Sequence, residues 1–211
     1  MNALPTDIQR YCIYMEEVKS RLAVIEVELN KPNSHAVDLY SEILAIQFRK
    51  VLEAIAFGSL IANRGKYSLA YANYSNHWNA KILLENLETI NPNFYPIPLK
   101  PPILRHDGSK HFDLVKKGYL TKEQFVSLYT DCGSILHTHN PYKLRKPKQI
   151  SPDAAKKWVK LIRGLLNIHL ARLVEAVEGW AVVMQDQRDN KVHAFQFQEL
   201  DNAPCHESQP N

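Results

Sequence analysis

The side chains best suited to chemistry crowd into residues 121–142, TKEQFVSLYTDCGSILHTHNPY, where Asp131, Cys132, His137, His139 and Asn140 follow in quick succession. A thiol with an imidazole nearby is the set a nucleophilic enzyme uses, the imidazole taking the proton that leaves the sulfur. Five residues separate Cys132 from His137, which on an ideal helix places the two side chains about 140° apart. The pair does not meet without distortion, and Cys132 reads as a buried structural thiol. Asp131, His137 and His139 could chelate a metal in the extended backbone after the helix ends, but that is the weaker use of these groups, and no metal or cofactor is expected. A third use is a small-molecule pocket formed by Tyr129, His137, His139 and Asn140. His137 also has a structural use, because an imidazole at a helix C-terminus caps free carbonyls and gains from the macrodipole.

Concentrated charge comes directly after. Lys143, Arg145, Lys146, Lys148, Lys156, Lys157, Lys160 and Arg163 stand against one acid, Asp153, although the whole chain carries only +4. Such a stretch is either a solvated loop and helix start or a surface for phosphate. The second reading makes Lys143, Arg145, Lys146, Lys148, Lys156 and Lys160 candidate contacts to nucleic acid, RNA in particular.

The elements that must position these groups are mostly helical. Thr121 is a good N-cap, and Phe125, Leu128, Tyr129, Cys132, Ile135 and Leu136 recur at the steps of an apolar helical stripe that ends at Asn140-Pro141. Upstream, Thr6 opens a helix running to about residue 29, and a second runs from 34 to about 63. That second helix is apolar around well over half its circumference, which marks it as central. Arg49 and Glu53 read as an i,i+4 surface ion pair on it. Gly65 supplies a break. A third helix lies between 68 and 90, with Trp78 read as core and His77 as its satisfied polar neighbour. Five prolines turn residues 91–110 into a traverse, whose His106, Asp107, His111 and Asp113 fit a polar loop better than a metal site. Ser151 or Asp153 opens the last helix, with Trp158, Ile162, Leu165, Leu166, His169, Leu173 and Ala176 as its buried stripe and Gly179 as its end. The period then changes from 3.6 to 2, and residues 180–198 read as a β-hairpin.

Composition excludes several classes. A chain of 211 residues, 45% hydrophobic, is that of a globular protein. It has no apolar run of about eighteen residues to span a bilayer and no basic-then-apolar secretory start, so a cytoplasmic protein without membrane attachment is expected. Cys12, Cys132 and Cys205 fit neither a disulfide framework nor a CxxC knuckle. No glycine-rich phosphate loop, GxSxG elbow or HExxH motif occurs.

The succession of antiparallel helices around a long apolar second helix, followed by LYTDCGSILHTHNPY, resembles the HEPN domains, a superfamily of small helical bundles many of which are RNases of toxin–antitoxin and phage-defence systems. The likeness covers residues 6–177 in architecture and 128–137 in motif. It implies a metal-independent RNase site at a dimer interface, built from an arginine followed four to six residues later by a histidine. His137 matches the histidine, whereas Cys132 stands in the arginine's place, and a thiol cannot supply the cationic fork that holds phosphate. Arg105 with His111, Arg163 with His169, and Arg188 with His193 satisfy the spacing elsewhere. Of these only Arg163 and His169 fall inside a predicted helix, where a separation of about 120° could leave both on one groove. His169 also sits on the apolar stripe, the position of a core histidine.

The resulting expectation is a mainly α protein, an antiparallel bundle of about five helices with a C-terminal β-hairpin, in one domain over 1–200 with a disordered tail over 201–211. Its function is expected to be HEPN-like, RNA-binding or RNase-related and catalytically degenerate, with His137, Asn140, Arg163 and His169 as candidate catalytic residues. The alternative is a non-enzymatic module that binds a protein partner or a second copy through the hairpin, or a small molecule.

Overall fold

A computed structural model of the chain describes residues 6–31, 37–106, 108, 110–138, 142, 148–172 and 178–198. Helix α1 (Asp7–Leu29) starts at a capping box, in which the Thr6 hydroxyl accepts from the Gln9 backbone N–H and the Gln9 side-chain Oε1 accepts from the Thr6 N–H. Tyr11, Met15, Val18, Leu22 and Ile25 form its buried stripe. Helix α2 (Val37–Ala62) buries residues on most of its faces and touches α1, α5 (Lys122–Leu136) and α4 (Ala80–Ile90), the central position its composition predicts. Arg21 bonds Gln47 and Gly58 abuts Tyr11 and Met15, so α1 and α2 run antiparallel. Each fully buried Leu, Ile or Phe here contributes about 1.5–3 kcal/mol.

Two elements replace the expected third helix. Gly65 lies inside a short α3 (Arg64–Ala70), which leads through a 3₁₀ turn (Tyr74–Asn76) to α4, capped by the Asn79 side chain. Tyr67 is the buried ring of this region, and its hydroxyl meets His77 at 2.8 Å. Trp78 is 67% exposed, contrary to its expected place in the core, because the bend ahead of α4 gives the inward position to Tyr67 instead.

The traverse contributes strands. β1 (Ile97–Pro98) pairs with a later strand, whereas β2 (Ile103–Leu104) and β3 (Lys110–His111) pair only with each other. Helix α5 begins at a second capping box, Thr121 with Gln124. Helix α6 (Pro152–Leu166) begins at Ser151, whose hydroxyl accepts from the Ala154 N–H, with Pro152 in its first turn.

Helix α6 stops at Leu166 rather than continuing to Gly179, and β4 (Ile168–Arg172) starts almost at once. Asn167, Ile168 and His169 are all middling helix formers, and a strand there gains a partner on each side, so pairing overrides the helical period. β4 pairs antiparallel with β1 on one side and with β5 (Glu178–Val183) on the other, and β5 pairs with β6 (His193–Gln198), giving the order β1-β4-β5-β6. The β5–β6 unit expected as a separate hairpin is thus half of a four-stranded sheet. Gly179, expected to end the helix, lies in β5, where a Cβ would stand 2.8 Å from the Ala171 carbonyl oxygen. His169, Trp180 and Val182 face the helices, with the Trp180 ring edge-on to Tyr11 at 5.7 Å. Alternate residues, Leu170, Ala181 and Phe195, lie on the other face.

One more contact locks α6. The Leu120 N–H donates to the Leu161 carbonyl at 2.9 Å, and the Gly118 carbonyl approaches Gly164 so closely that a Cβ there would stand 2.2 Å from its oxygen. The expected tail, 201–211, lies outside the described residues, as do Leu173 and Ala176.

Candidate functional site

Helix α6 is two-faced. Ala155, Val159, Ile162, Leu165 and Leu166 are buried, while Lys156, Lys160 and Arg163 stand exposed at i, i+4 and i+7 with Lys157 beside them. That stripe runs roughly 10 Å along the axis. Neither Lys156 nor Lys160 has an ion-pair partner among the described residues. Arg163 has one: its Nη2 donates to both carboxylate oxygens of Glu26 at 2.9 Å. Both side chains are more than two-fifths exposed, and such a pair contributes little, about 0–1 kcal/mol.

Beyond Arg163 the stripe opens onto a cavity of about 370 Å³ between α1, the end of α6 and the residues that follow β5. Leu22, Ala23, Leu166 and Met184 supply apolar surface, and Ser20, Asn167 and Gln185 supply neutral polar groups. Its remaining walls are charged and paired. Lys19 sits 3.1 Å from Glu16 and donates to the Asn190 carbonyl at 2.6 Å, while Glu16 accepts from the Val192 N–H at 2.6 Å. One α1 carboxylate, Glu16, therefore anchors the β5–β6 turn, whose Asn190 adopts a left-handed φ of 60°, while the other, Glu26, meets Arg163 at the surface. The sequence shows no local signal of this cavity, since its walls come from three distant segments.

The structure separates the candidate catalytic residues. Arg163 is exposed, whereas His169 is fully buried on β4. The His169 Nδ1–H donates to the Leu166 carbonyl at 2.7 Å, leaving Nε2 to accept from the Tyr11 hydroxyl at 2.8 Å. Burial pushes the imidazole down to about 4, the Leu166 contact opposing, and burial also raises the Tyr11 hydroxyl, with a smaller push from Cys12. His169 is thus a neutral core histidine with both nitrogens engaged, and the groove expected to join it to Arg163 does not form. His137 is the exposed C-cap of α5. Asn140 and His139 lie outside the described residues, as do Lys143, Arg145 and Lys146.

Cys132 is fully buried, and its thiol is pushed up to about 12 by burial and by Asp131, with Arg49 opposing. A thiolate nucleophile is therefore absent at neutral pH. Sequence reasoning placed Arg49 on the surface. Its guanidinium instead lies in the α2–α5 seam, 4.3 Å over the Tyr129 ring, donating to the Tyr129 hydroxyl at 2.7 Å and to Glu53 at 3.2 Å. Gly133 leaves the room for it. Tyr129 is accordingly 4% exposed, a seam residue rather than the wall of an open pocket. Lys148 is ion-paired with Asp131.

Of the other Arg–His pairs, Arg105 donates to His111 Nδ1 at 2.9 Å on the exposed β2–β3 unit, and His111 Nε2 lies 3.3 Å from Asp113. Arg188 pairs with Asp186 and His193 with Asp189. Among the described residues no group of three His, Cys, Asp or Glu side chains is placed to hold a metal, and no helix is long and apolar enough to cross a membrane. The fold and site define a mainly helical protein with a small antiparallel sheet and a basic helix face leading to a cavity. Comparison with protein-family models, curated proteins and solved structures finds no match.

Proposed function

We propose that this chain is a catalytically inactive, HEPN-like RNA-binding protein that holds the phosphate backbone along α6. The observation that carries the reading is the stripe Lys156, Lys160 and Arg163, backed by a buried apolar face that fixes the helix beneath it. Its length, roughly 10 Å, is enough to meet more than one phosphate of a single strand. Arg163 can exchange the Glu26 carboxylate for a phosphate oxygen at little cost, because the existing pair is solvent-screened. The burial of Cys132 and His169 supports the degenerate reading, since neither side chain is open to a strand lying on α6.

The test is a double charge reversal, Lys156→Glu with Lys160→Glu, read by fluorescence anisotropy of a labelled single-stranded RNA at low salt. Loss of binding with an unchanged helical circular-dichroism signal supports the reading. Unchanged binding refutes it.

A second reading, a module that pairs with a second copy, is favoured by β6. It is the outermost strand of the sheet, and its Phe195 is 46% exposed. Among the described residues no strand pairs with its outer side, and such an edge is a template for another strand. Phe195→Ser should then shift sedimentation towards monomer without loss of helical signal. A wild-type chain that sediments as a monomer up to high concentration excludes this reading.

A further inference from the structure

We infer that the cavity between α1, α6 and the segment after β5 is a site for a single unstacked nucleobase, adenine being the best match. The inference rests on the RNA reading and deepens it by naming what the strand on α6 inserts.

The cavity's size sets the first limit. About 370 Å³ lies near the small end of ligand pockets, enough for one flat ring system and far too little for a helical turn of nucleic acid. Charge sets the second. Glu16 is balanced by Lys19 and Glu26 by Arg163, and once Arg163 turns to a phosphate the freed Glu26 carboxylate repels an anion, so the walls favour a neutral ligand in either state. The phosphate stays outside, at the mouth, where Lys160 and Arg163 face solvent.

The uncharged lining then specifies what kind of neutral ligand. Leu22, Leu166 and Met184 form an apolar floor that is itself nearly buried, and Ala23 adds exposed apolar surface beside it for one face of a ring. Asn167 and Gln185 bring side-chain amides that make no hydrogen bond among the described residues, and each offers a donor beside an acceptor. An amide of this kind bonds the N6 donor and N7 acceptor of adenine in one bidentate contact. Unstacked bases of single-stranded RNA are recognised in this way, by a packed face and a bonded edge. The ligand is therefore flat, neutral and bonded along its edge, and an RNA strand or a free nucleotide could deliver it.

The experiment measures anisotropy of labelled ten-nucleotide oligo-A, oligo-U and an oligo-A with abasic sites, together with calorimetric titration of AMP. Three proteins are compared: the wild type, Asn167→Ala with Gln185→Ala, and Ala23→Trp, which fills the cavity from an exposed position of α1. The wild type should prefer oligo-A over the abasic strand by roughly fivefold to a hundredfold, the discrimination of one bidentate pair. Both variants should lose that preference while keeping the wild-type salt slope, which reports phosphate contacts alone. Equal wild-type affinity for all strands, or a preference that survives both variants, overturns the base pocket and leaves the RNA reading intact. AMP binding that Ala23→Trp abolishes, without any oligonucleotide binding, keeps the pocket and overturns the RNA reading. No binding of either ligand overturns both.

Discussion

The buried Tyr11–His169 pair ties the sheet to α1, and it makes stability depend on pH in a defined window. Burial holds His169 down to about 4, against an ordinary value of 6.5. Between these values the unfolded chain carries a proton on this imidazole that the folded chain does not. The slope of unfolding free energy with pH is positive wherever the unfolded state binds more protons, so this contribution is complete above 6.5 and lost as pH falls to 4. At 1.36 kcal/mol per pH unit the loss integrates to about 3 kcal/mol. Urea unfolding at pH 7 and pH 4.5, for wild type and His169→Gln, isolates it. The wild type should lose stability by about 2 kcal/mol more than the variant across that range, which stops short of the lower value. Tyr11→Phe removes the hydroxyl from Nε2 and leaves a buried acceptor unbonded, at a cost of about 1–3 kcal/mol at pH 7. An acid loss in His169→Gln equal to that of the wild type, or an NMR titration of His169 near 6.5, would refute the placement of this residue.

Further outcomes follow from other contacts. Gly164→Ala puts a methyl group 2.2 Å from the Gly118 oxygen and must displace either the 118–120 loop or α6, so it should cost several kcal/mol, about 3 or more, in chemical denaturation. Gly65→Ala meets nothing within 4 Å inside α3 and should be neutral or stabilising by about 0.5–1 kcal/mol, which serves as its control. Cys132 should resist thiol reagents at pH 8 until the protein is unfolded, because its thiol is fully buried and raised to about 12. Rapid labelling of Cys132 in the folded protein contradicts the packing of α5 on α2.

Much of this fold is legible in the sequence because the signals are local. Thr6 and Thr121 announce their helices through side-chain caps, and the all-round apolarity of α2 reports its place at the centre. The alternation around Trp180 and Phe195 reports strands. What the sequence hides is non-local. Residues 168–172 carry an apolar pattern that fits a helix as well as a strand, and only the partners at Ile97 and Val183 decide between them. His169 changes meaning with that decision, from a groove residue six positions after Arg163 to a core acceptor for Tyr11. Arg49 likewise reads as a surface ion pair until α5 brings Tyr129 and Gly133 against it. The cavity is least legible of all, since Glu26, Arg163 and Gln185 meet only in the folded chain.

The central claim, that α6 holds a phosphate backbone, is tested most directly by the salt dependence of RNA binding. Each phosphate neutralised on a single strand contributes about −0.7 to the slope of log affinity against log salt. Three contacts from Lys156, Lys160 and Arg163 give a slope near −2 by that count, and Lys160→Ala alone, which removes one contact, should bring it to about −1.4. A wild-type slope near zero, or no binding even at low salt where surface electrostatics are strongest, would contradict the account.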